Sequence, residues 1–180
     1  MAKKRRFPWG VMIVALVTFG AGIIFVLLFG ERFFPPEKKK IPAHDINLYF
    51  SDEEGKGLKA EKRPIKKGKI EEELKEAVSA LIEGSKGGLA LTMPSGTRLL
   101  SVKVANGIAY VNLSREFSSN HPGGSTAELQ TIYSVVNTLA LNFPGIKKVQ
   151  LLIDGSVQDT LAGHIVISIP LGPEKGMNRP

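Results

Sequence analysis

The sequence predicts an α+β domain, a two-layer sandwich with two helices packed on one face of a mixed β-sheet, preceded by one N-terminal transmembrane helix. Three observations predict it. Nineteen residues without a charge, Val11 to Phe29, follow Lys3-Lys4-Arg5-Arg6. Beyond them, short alternating apolar runs mark strands, two of them joined by Asn106-Gly107. Two longer stretches instead repeat their apolar residues every three or four positions, as amphipathic helices do.

The uncharged run reaches roughly 28 Å as a helix, close to the hydrocarbon thickness of a bilayer. Its side chains are Ile, Val, Leu, Met, Phe, Ala and Gly, with Thr18 the one hydroxyl. Trp9 stands at one edge and Phe33 and Phe34 at the other, where rings sit at headgroup level. The run is longer than a secretory signal core, and no small residue stands three before a cut at its end, so an uncleaved anchor is expected. Without cysteine there is no residue to carry a lipoprotein lipid. The dense basic cluster before the run favours a cytoplasmic N-terminus and an exported body. The expected organisation is a basic cytoplasmic tail at 1–10, a span at 11–30, a Pro/Lys linker at 31–45, the domain at 46–170 and a flexible tail at 171–180.

Within the domain, Ile46, Leu48 and Phe50 alternate with polar neighbours as a first strand. A loop through Asp52 to Gly57 then returns the chain along Leu58 to Ile65, where Pro64 suits a strand at an edge. Ile70 to Glu83 reads as a helix: Ile70, Leu74, Ala77, Val78, Leu81 and Ile82 form one stripe, Glu71 to Glu73 occupy the first turn, and Gly84 stops it. Leu99 to Ala105 and Ile108 to Leu113 flank Asn106-Gly107, a pair that accepts the positive φ angles of a two-residue hairpin turn. Ser125-Thr126-Ala127-Glu128 reads as a capping box opening a second helix, with Leu129, Ile132, Tyr133, Val136, Leu139, Ala140 and Phe143 as its buried stripe and Pro144-Gly145 as its end. Val149 to Ile153 is a strand ending in the turn Asp154-Gly155, and His164 to Ile169 is expected as a last strand with Ile165, Ile167 and Ile169 on one side.

Composition narrows the function. The net charge of +7 is concentrated before residue 41; beyond Lys40 the chain carries 16 basic and 15 acidic residues. A nucleic-acid-binding domain keeps its positive excess in the folded body, so nucleic acid is not an expected partner. His44, His121 and His164 are scattered at no metal-ligand spacing, so no metal is expected. No G-x-S-x-G or phosphate-binding loop occurs, and no cofactor is expected. Ser125 near His121 reads as a helix cap, and Gly123-Gly124 as a helix entry that an anion could also approach. Asp154 with Asp159 is a weak pair for hydrolysis beside the turn reading. One local charge excess stands out: Lys56, Lys59, Lys62, Arg63, Lys66, Lys67 and Lys69 lie within fourteen residues, interrupted only by Glu61. It reads either as an edge strand guarded by lysine against aggregation or as a docking face for an anionic surface.

The segments Leu48-Tyr49-Phe50, Leu58 with Glu61 and Arg63, Pro94-Ser95-Gly96-Thr97, Leu99 to Val102, Asn106 to Phe117, Gly124-Ser125, Val135 to Leu139, Phe143-Pro144-Gly145 and Val149 to Gly155 resemble, in this order, the GerMN domain of sporulation and germination proteins. The resemblance implies a small α/β module outside the cytoplasmic membrane, without known catalysis, used in envelope or sporulation assemblies. The chain departs from the two-copy lipoprotein that gives the family its name, having one copy and no cysteine.

The expected function is a membrane-anchored extracytoplasmic binding or scaffolding module of the bacterial cell envelope, single-pass in the inner membrane and not an enzyme. Its expected partners are the bilayer through the N-terminal helix, an envelope protein or cell-wall polymer, and a further copy of the chain through a strand edge. Candidate contact residues are Lys62, Arg63, Lys66 and Lys67 on the basic edge, and Arg115, Glu116, Gly123 and Gly124 between strand and helix. The alternatives are a peptidoglycan hydrolase, which calls for a pocket gathering Asp154, Glu116 and a histidine, and a small-ligand sensor.

Overall fold

The computed structural model describes residues 42–179 and, before them, only residues 19, 20, 24–26 and 28, which are helical. The expected basic tail, span and most of the linker lie outside the described residues. Among the described residues no helix is long and apolar enough to cross a membrane. The chain divides into two compact units, Met1–Lys40 and Ile41–Pro180, and the second carries every strand among the described residues.

The elements of this second unit are β1 (Ala43–Ser51), β2 (Leu58–Lys66), α1 (Ile70–Glu83), β3 (Leu99–Ala105), β4 (Ile108–Leu113), the short α2 (Glu116–Ser119), α3 (Ser125–Asn142), β5 (Lys148–Ile153) and a 3₁₀ turn at Lys175–Met177. The class is α+β as expected, but the sheet is divided. β1 and β2 form an antiparallel two-stranded ribbon, and β3-β4-β5 form a separate three-stranded mixed sheet. In that sheet β3 and β4 are antiparallel and β4 and β5 parallel, with Ile108 opposite Lys148 and Leu113 opposite Ile153. The hairpin turn is where the sequence places it: Asn106 has φ 52° and Gly107 φ 76°.

The two helices therefore do not share one face of one sheet. α3 touches the ribbon through β1 and the other sheet through β5, while α1 packs on β3, α3 and both ribbon strands. This central position explains why α3 is buried on nearly every side, well beyond the expected stripe: Gln130, Thr131, Ser134, Asn137 and Thr138 are buried beside Ile132, Val135, Val136 and Leu139. One core joins all layers, with Leu48, Phe50, Leu74, Leu81, Val111, Leu113, Phe117 and Leu139 each fully buried.

The buried polar groups of α3 have a specific use. Gln130, Ser134, Thr138 and Asn142 recur at intervals of four and face β1 in antiparallel sense. Asn142 accepts from the backbone of Asn47 (2.9 Å) and donates to its carbonyl (2.7 Å). Thr138 Oγ1 accepts from Tyr49 N (3.1 Å), Ser134 donates to Tyr49 O (2.6 Å), and Gln130 Oε1 accepts from Ser51 Oγ (3.1 Å). Four helical residues climb about 6 Å and two strand residues about 6.6 Å, so the repeats stay in step. A helix thus completes the open edge of β1 with side chains where a further strand would have used backbone.

Two local expectations fail for long-range reasons. The capping box does not form: the N-cap is Gly124, with φ 89°, and no side chain caps α3. The Glu128 carboxylate is fully buried and instead accepts from the backbone of His164 (3.2 Å) and Ile165 (2.9 Å) and from His164 Nδ1 (2.7 Å). The last strand, His164 to Ile169, is also absent. This segment makes only an isolated bridge, Thr160 to Val166, and Gln150 Nε2 donates to Ile167 O (2.8 Å). Its residues divide accordingly: Ile167 is buried and Ile169 is 61% exposed. The C-terminal segment, expected to fray, is tied down. Leu171 exchanges two 2.8 Å backbone bonds with Val149, Asn137 bonds Glu174 and Asn178, and Arg179 N donates to Leu58 O.

Candidate functional site

The basic edge is built on β2. From Lys62 on its side chains alternate, with Arg63 and Ile65 buried and Lys62, Pro64 and Lys66 exposed; Leu58 is buried and Ala60 exposed. Pro64 has no N–H to offer a neighbouring strand, and Lys66 N donates to Glu76 Oε2 at 3.2 Å. Lys67 N donates to Pro42 O at 2.7 Å, so the ribbon's basic end is also where the body joins the preceding chain. Lys62, Lys66 and Lys67 form no ion pair among the described residues. Across the ribbon Asp45 stands opposite Pro64.

Arg63 belongs to a different structure. Its guanidinium is 7% exposed and turned inward, donating to Glu61 Oε1 (2.6 Å and 3.2 Å) and to Gly84 O (3.0 Å). Glu61 also accepts from the Ser85 hydroxyl (2.5 Å), Lys86 N (3.1 Å) and Gly87 N (2.9 Å). Burial alone would raise its pKa. The hydroxyl of Ser85, the Arg63 charge and the two backbone donors overcome that and hold the carboxyl at about 2. This pair fastens β2 to the end of α1.

Glu116 opens α2 beside Arg98, at 3.5 Å. Its carboxyl lies below the usual range, first through the Ser114 hydroxyl and its own backbone N–H, then, against a small burial effect, through Arg98 and Arg115. Gly123 and Gly124 have φ 79° and 89°, with open space where a Cβ would stand. Their loop is held by His121: Gly123 N donates to Nδ1 (3.0 Å), and Nε2 meets Thr131 Oγ1 (3.1 Å), which itself donates to Thr92 O (2.7 Å). Burial lowers the His121 pKa, against the raising effects of Glu128 and the Ala127 backbone. This bonding is that of a neutral ring with the proton on Nε2.

A cleft of about 390 Å³ opens between the ends of β4 and β5, lined by Arg115 and Ser118 on one side and by Asp154, Ser156 and Gln158 on the other. Neither Glu116 nor a histidine lines it, because His121 and His164 are engaged with Thr131 and Glu128. The pocket required by the hydrolase alternative is not assembled there. Asp154 and Asp159 carry no shared site; Asp154 opens the predicted turn, with φ 48°. No group of three histidine, aspartate or glutamate side chains suited to a metal occurs among the described residues. The feature that sequence reading missed is the β1-facing ladder of α3, whose signal was four polar residues at intervals of four in an otherwise apolar helix.

These features define a small α+β module whose β1 edge is met by α3, with a lysine-bearing ribbon and no assembled acid–base centre among the described residues. The chain belongs to the Germane family, described as sporulation and spore germination, which matches residues 47–159. Solved structures agree. A Clostridium perfringens protein described as a lipoprotein is 33% identical, with a TM-score of 0.55 over 77% of this chain and 93% of that one. The first GerMN domain of the sporulation protein GerM from Bacillus subtilis is 25% identical, with a TM-score of 0.58 over 72% of this chain and 97% of that one. The tandem GerMN domains of the same protein share the fold at 24% identity and TM-score 0.60, over 73% of this chain; the match spans 46% of the tandem chain, about half its length. No curated protein sequence matches the chain.

Proposed function

We propose that this protein is a membrane-anchored, extracytoplasmic docking module of the bacterial cell envelope, non-catalytic, which meets an anionic envelope protein or cell-wall polymer through the lysine face of β2. The observation that carries the reading is the position of Lys62, Lys66 and Lys67. They are exposed and form no ion pair among the described residues; Lys62 stands midway along β2, and Lys66 and Lys67 lie at the ribbon end bonded to Pro42. The likeness to a protein described as a lipoprotein supports an anchored body, and the uncharged segment Val11 to Phe29 is the proposed anchor. The GerMN relationship supports assembly rather than catalysis. Arg63 is left out of the docking set because Glu61 occupies it. The test is charge reversal, Lys62→Glu, Lys66→Glu and Lys67→Glu together. Capture of an envelope partner in intact cells is expected to fall while the melting temperature stays, and unchanged capture would remove this face.

A further inference from the structure

The cleft at the ends of β4 and β5 holds two charged side chains, Arg115 and Asp154, that form no ion pair among the described residues. Ser118 gives its hydroxyl proton to Leu161 O (2.6 Å), and Ser119 is bonded to Asn120 (3.3 Å). The Arg115 guanidinium, the Asp154 carboxylate and the polar ends of Ser156 and Gln158 line the same space without a hydrogen bond or ion pair among the described residues. Arg115 and Asp154 share the cleft without an ion pair between them within 4.0 Å. From this geometry we propose that the cleft binds a small zwitterion of the amino-acid or short-peptide type, its carboxylate on Arg115 and its ammonium on Asp154.

Three further features suit a binding site. The cleft volume lies in the range of small-ligand sites, about 300–1,000 Å³. It sits outside the carboxyl ends of two neighbouring parallel strands. Its walls are also fixed in advance. On one side Asp154-Gly155 forms a tight turn closed in both directions between Ile153 and Ser156 (2.9 and 3.0 Å), and Gly155 N is held by Asn112 Oδ1 (2.7 Å). On the other, α2 is pinned by the fully buried Phe117. A ligand bridging the two sides therefore orders little protein on binding. The guanidinium presents a planar fork suited to a carboxylate, whereas a lone carboxylate such as Asp154 accepts from an ammonium. Ser156 and Gln158 remain for the peptide or backbone polar atoms between them. This site is separate from the lysine face of β2, so failure of either proposal leaves the other standing.

The test is an amide NMR titration of the full chain in detergent micelles with alanylalanine, its N-acetyl form and its C-terminal amide. Saturable shifts centred on Asp154, Gly155, Ser156 and Arg115 are expected with the free dipeptide, and each capped form should bind at least about tenfold more weakly, as loss of one charge-assisted contact implies. Arg115→Gln and Asp154→Asn should each cause a loss of the same size. Asparagine tolerates the left-handed backbone at residue 154, so that variant keeps the turn. Equal binding of the capped forms, shifts centred elsewhere, or no saturable shifts with the free dipeptide would overturn the proposal. The comparison of probes on the unaltered chain does not depend on any variant folding.

Discussion

Replacing Glu61 by glutamine removes the charge that holds β2 to the end of α1. The carboxyl lies at about 2 against an ordinary 4.5, and its side chain is 13% exposed. A shift of that size corresponds to about 3 kcal/mol of folding free energy. Since the folded pKa is depressed, this stability is present in full above pH 4.5 and drains away as the pH falls toward 2. Glutamine keeps the shape and one acceptor oxygen but removes the negative charge facing Arg63, which is 7% exposed and also bonds Gly84 O. A buried cation deprived of its partner costs several kcal/mol. Glu61→Gln should therefore lower the melting temperature at pH 7 by roughly 10 °C, taking about 3 °C per kcal/mol for a domain of this size. The assay is thermal unfolding followed by circular dichroism, from pH 7 to pH 2.5, for the parent and the variant. Their difference should shrink across the acid limb, and adding Arg63→Met should recover part of the loss, because an apolar pair replaces a broken ionic one. A variant that melts within 2 °C of the parent at pH 7, or a deficit that stays constant with pH, would refute the assigned role of this carboxylate.

Two other perturbations address α3. Asn142→Leu leaves the N–H and C=O of Asn47 without their partners, which should cost about 1–3 kcal/mol and speed amide exchange at Asn47 and Tyr49; exchange rates equal to the parent's would contradict the edge-closing role. Glu128→Leu removes a buried carboxylate that accepts three bonds. It should free the amides of His164 and Ile165 to exchange before global unfolding, and unchanged protection there would refute the role given to Glu128 in holding that loop.

Much of the fold was legible where local chemistry decides it. Asn106-Gly107 needs positive φ at both positions and forms the predicted turn, and the stripe from Leu74 to Leu81 places α1 within its observed bounds. Reading failed where distant groups outcompete local ones. Ser125 and Glu128 have capping-box spacing, but three donors near residue 164 are a stronger attraction for a buried carboxylate than one orphan N–H at a helix end. His164 to Ile169 alternates like a strand, yet β5 takes only single bridges from this side, and Gln150 uses its amide on Ile167 O. The division into two sheets was hidden in Gln130, Ser134, Thr138 and Asn142. Polar residues on a helix ordinarily read as a solvent face, whereas here they stand in for a strand. On the surface, Lys62, Lys66 and Lys67 were legible as a charge run, and the inward turn of Arg63 was not, because its partner Glu61 lies on the same strand face two residues away.

Docking through the lysine face of β2 is tested most directly by a photo-reactive side chain placed at Ala60, an exposed position on the same face of β2 as Lys62 and Lys66. Irradiation of intact cells should yield one dominant cross-linked envelope product in the membrane fraction, and the triple charge reversal at Lys62, Lys66 and Lys67 should abolish it. A product of undiminished yield in the reversed protein, or cross-links formed only to cytosolic proteins, would contradict docking at this face.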